Sequence, residues 1–140
     1  MTMQLVLPQV YFKSPNLVIR FDQERQFGTA MWKGHLSSTD LREGVLLCNH
    51  VVDTYSLTRW LGDNRQMKAF SPEDEQWIIE TQLPLIIASP LRRMATLVSQ
   101  DQAQVAAVEH MIERAEGLHH LALQDFHYED AALQWLLQDF

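Results

Sequence analysis

Hydrophobic and polar positions along the chain first alternate over short stretches and then settle into blocks of strand-like and helix-like spacing. Residues 10–14, 17–22 and 27–33 are β-favouring runs, separated by Pro15-Asn16 and by the polar turn Gln23-Glu24-Arg25-Gln26, and together they predict an antiparallel meander. In the third run Phe27, Thr29, Met31 and Lys33 alternate with Gly28, Ala30 and Trp32. That mixture identifies a strand without marking its buried face. After the capping residues Ser37, Ser38 and Thr39, the positions Leu41, Val45, Cys48, Val52 and Tyr55 recur at helical spacing, with Asp40 and Glu43 placed to favour the positive helix start.

Residues 58–63 read as a strand that ends in a loop over 64–70. Ser71-Pro72-Glu73-Asp74 is the sharpest local signal: a serine cap, a proline at the first helical position and an acid three residues after the cap. Trp77, Ile78, Thr81 and Leu85 extend the inward face of that helix, and Pro84 is expected to kink or end it about a turn earlier. A strand over 92–98 follows. Ser99-Gln100-Asp101-Gln102 then opens a helix with Val105, Val108, Ile112 and Ala115 on one stripe and Gly117 as its stop. A last strand over 119–125 and a last helix over 129–137, burying Ala132, Leu133, Leu136 and Trp135, complete the order βββ-α-β-α-β-α-β-α. Strands alternating with helices imply parallel pairing through right-handed crossovers. The expected fold class is therefore α/β, with a mixed β-sheet that starts as an antiparallel meander and continues with parallel strands, in one domain spanning 1–140.

Composition supports a self-sufficient core: 46% of the 140 residues are apolar and 21% are charged. No basic leader or membrane-length apolar window is present, and Cys48 is the single cysteine. A cytoplasmic protein without disulfides is expected. The net charge of −7 argues against a duplex nucleic-acid partner. The charge is uneven: up to Ala69 basic groups outnumber acidic ones by eight to six, and from Phe70 onward acids outnumber bases by twelve to three. The second half thus presents an acidic surface, and self-association as a homodimer is expected to use the near-neutral meander.

Most enzyme chemistry loses its sequence support. The six histidines lack a His-Glu-x-x-His spacing, and His119 and His120, adjacent on an expected strand, point to opposite faces. Cys48 sits mid-helix on an apolar stripe, as a buried and inert thiol would. No Gly-x-Ser-x-Gly elbow or glycine-rich phosphate loop occurs. Most of Glu73, Asp74, Glu75 and Glu80 fall in a first helical turn, where capping and the helix dipole already account for acids. No catalytic residue, metal ligand or cofactor is expected. Asp63, Asn64 and Arg65 stand apart, because they follow an expected parallel strand and precede a capped helix, and the carboxyl ends of such strands are where ligands and partners bind.

Taken together, Met31-Trp32-Lys33-Gly34, Trp60-Leu61-Gly62-Asp63-Asn64-Arg65, Ser71-Pro72-Glu73-Asp74-Glu75-Gln76-Trp77 and Ala132-Leu133-Gln134-Trp135-Leu136 resemble the small bacterial STAS-like domains, from about Val10 to Leu137. STAS domains are named for sulfate transporters and anti-sigma-factor antagonists, and this branch is also compared with the CRAL-TRIO lipid-transfer fold. The resemblance implies about four helices packed mainly on one face of a mixed sheet. It implies a non-enzymatic regulatory role through a protein partner, or alternatively the binding of a lipid or other small apolar ligand. It also places Ser71 where anti-sigma-factor antagonists carry a phosphorylatable residue, although Pro72, Glu73 and Asp74 depart from that motif. A 140-residue chain leaves little room for a lipid-sized cavity once its own core is filled.

Overall fold

The computed structural model describes residues 6–115 and 120–140. Its strands are β1 (Gln9–Lys13), β2 (Leu17–Asp22), β3 (Phe27–Gly34), β4 (Arg59–Met67), β5 (Arg93–Leu97) and β6 (Ala122–Phe126). They form one sheet in simple sequence order, β1-β2-β3-β4-β5-β6, antiparallel as far as β3 and parallel from β3 to β6. The helices are α1 (Ser38–Tyr55), α2 (Pro72–Trp77) continued through a π-helical turn (Ile78–Gln82) into α3 (Leu83–Ala88), α4 (Gln102–Ala115) and α5 (Glu129–Leu136).

Each parallel step moves one strand further in the same direction, so right-handed crossovers stack their helices on one face. Trp60 belongs to the apolar cluster under α1 and the α2–α3 segment, whereas its neighbour Leu61 packs with Ala132, Leu133 and Leu136 of α5. Adjacent residues of a strand point to opposite faces. α5 therefore covers the reverse side of β4, β5 and β6, and the expected α/β fold with helices mainly on one face is the one observed.

This arrangement explains the mixed pattern of β3. At its start Phe27 is buried against α5, while Gly28 lies so close beneath Trp60 that a Cβ would come within 2.5 Å of the indole. Further along, Ala30 and Trp32 still face the crossover helices, but α5 does not reach the opposite side and Met31 is exposed. One strand thus passes from two covered faces to one.

Helix starts follow the local chemistry. Ser37 Oγ accepts from the Asp40 N–H at 3.1 Å, and Ser71 Oγ accepts from the Asp74 N–H at 3.1 Å. The two starts are joined: Ser38 Oγ donates to Asp74 Oδ1 at 2.5 Å and Arg42 Nε donates to the same oxygen at 2.9 Å. Burial works against the Asp74 carboxylate, but these donors and Ser71 outweigh it and hold its pKa below the usual range.

Two expectations need correction. The strand expected to stop at residue 63 runs on to Met67, so the predicted loop is shorter and Asp63, Asn64 and Arg65 lie inside β4. Met31 pairs with Asp63 but Lys33 pairs with Gln66, and the extra residue on β4 makes a bulge there. At the bulge Asp63 Oδ1 accepts from the Arg65 N–H at 3.1 Å. Pro84 distorts its helix about a turn earlier, as expected, without ending it: α2 stops at Trp77, the Leu83 N–H bonds to the Ile78 carbonyl five residues back, and this widened turn lets the chain continue as α3. In α4 the fully buried positions are Gln104 and Ala107, with Val105, Val108 and Ile112 only partly buried. The Ala115 side chain, Gly117 and His119 lie outside the described residues, and His120 precedes β6.

Candidate ligand cavity

Between the sheet and its crossover helices lies a partly open cavity of about 160 Å³. Its floor is the helix-facing row of β4, made by Trp60, Gly62 and Asn64, flanked by Trp32 on β3 and by Met94 and Thr96 on β5. Its walls come from α1, from the segment on both sides of the π-helical turn, and from α4. Gly62 opens the space. A Cβ built there would find nothing nearer than 3.9 Å, from the Ala95 carbonyl oxygen and Asn64 Oδ1. Elsewhere the packing is tight: at Gly44 of α1 a Cβ would come within 2.7 Å of Trp32 and 2.8 Å of Leu17, so that contact seats the helix on the sheet.

Four polar side chains line an otherwise apolar wall, and no Asp, Glu, Lys or Arg is among the lining residues described. Asn49 Nδ2 donates to Gln82 Oε1 at 2.7 Å, and Gln82 Nε2 donates to Thr81 Oγ1, which ties α1 to the π-helical turn. The other three are less well provided for. Asn64 is 8% exposed, Thr96 8% and Gln104 1%. Among the described residues the Asn64 amide and the Thr96 hydroxyl make no hydrogen bond, and Gln104 only donates to the Met67 sulfur at 3.4 Å. Asp125 Oδ1 is the one fully buried side-chain atom without a partner among the described residues, so the Asn64 amide and the Thr96 hydroxyl face the partly open cavity, where water or a ligand can reach them. Two of the three sit together: Gly62 pairs with Thr96 across β4 and β5, and Asn64 Oδ1 lies 3.9 Å from a Cβ built over Gly62, while Gln104 enters the cavity from α4.

The end of β4 is held against the start of α4. Ser99 Oγ donates to the Met67 carbonyl at 2.6 Å, and Asp101 Oδ2 accepts from the Ala69 N–H at 2.9 Å while Oδ1 accepts from the Ala103 N–H. These ties fix Gln104 opposite Met67.

No family model, curated protein or solved structure matches this chain.

Of the four candidate positions taken from the sequence, only Asn64 reaches the cavity. Asp63 and Arg65 project to the opposite face, where Arg65 donates to Asp63 at 3.0 and 2.8 Å. That hydrogen bond, reinforced by the charges of Asp63 and Glu129, raises the Arg65 pKa against the cost of its burial. Ser71 is an exposed helix cap. Thr96 and Gln104 were not anticipated. Gln104 carried a faint signal as a polar residue on the same helical face as Val108 and Met111, but a surface position explains such a residue equally well.

Cys48 is half-buried rather than enclosed, and it lines the same cavity. Burial pushes its thiol pKa up, partly offset by a backbone hydrogen bond, so the sulfur is held as the thiol. Among the described residues no three His, Cys, Asp or Glu side chains converge as metal ligands, and no helix is long and apolar enough to cross a membrane.

Proposed function

We propose that this protein is a non-enzymatic regulatory module that senses a small, largely apolar molecule held between the sheet and the crossover helices. The observation that carries the proposal is the Asn64 amide beside the Thr96 hydroxyl, both facing an otherwise apolar, partly open cavity with no protein partner among the described residues. A core that only stabilised the fold would place apolar groups there, whereas a ligand supplies the missing partners when it binds. Binding is favoured over catalysis because, among the described residues, the lining holds no carboxylate, histidine or cationic group and its one thiol stays protonated. Occupancy has a route outward, since the cavity touches α1, the π-helical turn and α4 together.

Native mass spectrometry of protein purified from its own cells tests this. The wild type is expected to carry a small adduct that Gly62→Leu, which fills the gap over β4, does not retain. A bare wild-type mass, together with no thermal shift from any small apolar compound, would refute the proposal.

The protein partner and the homodimer expected from the sequence remain a second, weaker proposal, for a protein working in the cytoplasm. It is supported by β1, an edge strand beside which Val6 and Val10 are exposed, although the bulge at Val10–Phe12 shortens the edge available for pairing. Light scattering that finds only monomer at high concentration removes it.

A further inference from the structure

We infer that the ligand is a neutral molecule built on one aromatic ring and bearing a hydroxyl group, of the phenol or benzyl alcohol class. The inference rests on the cavity being a binding site, and four features narrow the class.

Size comes first. A cavity of about 160 Å³ resembles the apolar voids of about 150 Å³ that accept one benzene ring, and it is well below the ~300–1,000 Å³ of sites for drug-sized or lipid-sized molecules. Charge comes next. Among the described residues no ionised side chain lines the space, so an anionic or cationic ligand would be desolvated there without a counter-charge. Shape follows from the walls: Trp32, Trp60 and Phe70 offer flat aromatic surfaces, and Met67, Met94 and Met111 are adaptable side chains whose sulfur packs well at ring edges.

The fourth feature is the hydrogen-bonding group. Asn64 Oδ1 lies 3.9 Å from the Cβ position over Gly62, and Thr96 is the strand neighbour of that same glycine. A carbonyl acceptor and a hydroxyl that can donate thus border one gap. A ligand hydroxyl placed there donates to the Asn64 carbonyl oxygen and accepts from the Thr96 hydroxyl, pairing these two atoms with one group. A purely hydrocarbon ligand would leave both unpaired, and a carboxylate could not donate to Asn64 Oδ1.

Isothermal titration of the full chain with 4-methylphenol, toluene, benzoate and decanoate tests the assignment. 4-Methylphenol is expected to bind at least tenfold more tightly than the other three. The double variant Asn64→Leu, Thr96→Val is expected to lose at least tenfold in 4-methylphenol affinity while keeping its affinity for toluene, which shows that it is folded with the cavity intact. Gly62→Leu is expected to abolish binding of every probe. Toluene, benzoate or decanoate binding as tightly as 4-methylphenol would overturn the ligand class and leave the binding function standing. Undiminished 4-methylphenol binding to Gly62→Leu would overturn the site. Failure of all four probes to bind the wild type would overturn the inference and the binding function together.

Discussion

Replacing Asn64 with leucine is expected to make the protein more stable, the opposite of what most buried substitutions do. The Asn64 amide is 8% exposed and makes no hydrogen bond among the described residues. Its polar atoms face the partly open cavity, so only a part of the roughly 1–3 kcal/mol cost of an unpaired buried amide applies, and leucine removes that part and adds apolar contact with the cavity wall. Space is available, since a Cβ on neighbouring Gly62 would meet nothing nearer than 3.9 Å. The expected gain of about 1 kcal/mol corresponds to roughly 3 °C in Tm for a chain of this size. Urea unfolding followed by tryptophan fluorescence measures it, with an unchanged m-value as the check that both states are comparable. The control is Asn49→Leu. Asn49 donates to Gln82 Oε1 at 2.7 Å, so its loss strands a buried acceptor and should destabilise by about 1–3 kcal/mol. An Asn64→Leu midpoint below the wild type, at constant m, would show that the amide is satisfied in the folded protein and would refute the reasoning.

Other expectations follow from the same geometry. Gly62→Val should be tolerated or stabilising by about 1 kcal/mol in a melting curve, because a β-branched residue suits an extended strand and its side chain enters open space. Ser71→Ala should cost about 0.5–2 kcal/mol through the lost cap, and Ser71→Asp should not restore it fully, since the new carboxylate would stand beside that of Asp74, which the serine hydroxyl now helps to stabilise. Equal melting temperatures for wild type and Ser71→Asp would contradict that. Asp125 has one carboxylate oxygen buried without a partner, and burial, with Glu109 adding to it, raises its pKa. The folded state therefore holds this proton more tightly than the unfolded chain, so stability is full below the unfolded pKa and declines as pH rises through the folded one. Asp125→Asn should accordingly raise Tm at pH 7, with the gain shrinking as pH falls through the carboxylate range; a gain independent of pH would reject this cause.

The sheet and most helix boundaries were legible in the sequence because they rest on local signals. Ser37 and Ser71 cap as their positions suggest, and the meander, the alternation of strands with helices and the apolar last helix all reappear. What was not legible depends on long-range packing. β4 outlasts its expected end because β3 continues to pair with it around a bulge, and pairing with a distant strand overrode the turn preference of Asp63 and Asn64. The helix passes Pro84 because a five-residue turn absorbs the missing donor, a device with no sequence marker. The same reasons hid most of the cavity. Asn64 was singled out as part of a surface loop, but its role depends on the strand turning it inward while Asp63 and Arg65 point away. Thr96 and Gln104 join it only through the β4–β5 pairing and the ties between β4 and α4.

The most direct test of the ligand cavity is a proton–nitrogen correlation spectrum recorded while 4-methylphenol is added. Saturable shifts are predicted for the side-chain amides of Asn64 and Gln104 and the indole N–H groups of Trp32 and Trp60, with none at the amide of Asn16, which donates to the Lys33 carbonyl on an exposed turn. Shifts scattered over the surface that do not saturate, or none at Asn64 and Gln104, would contradict the account.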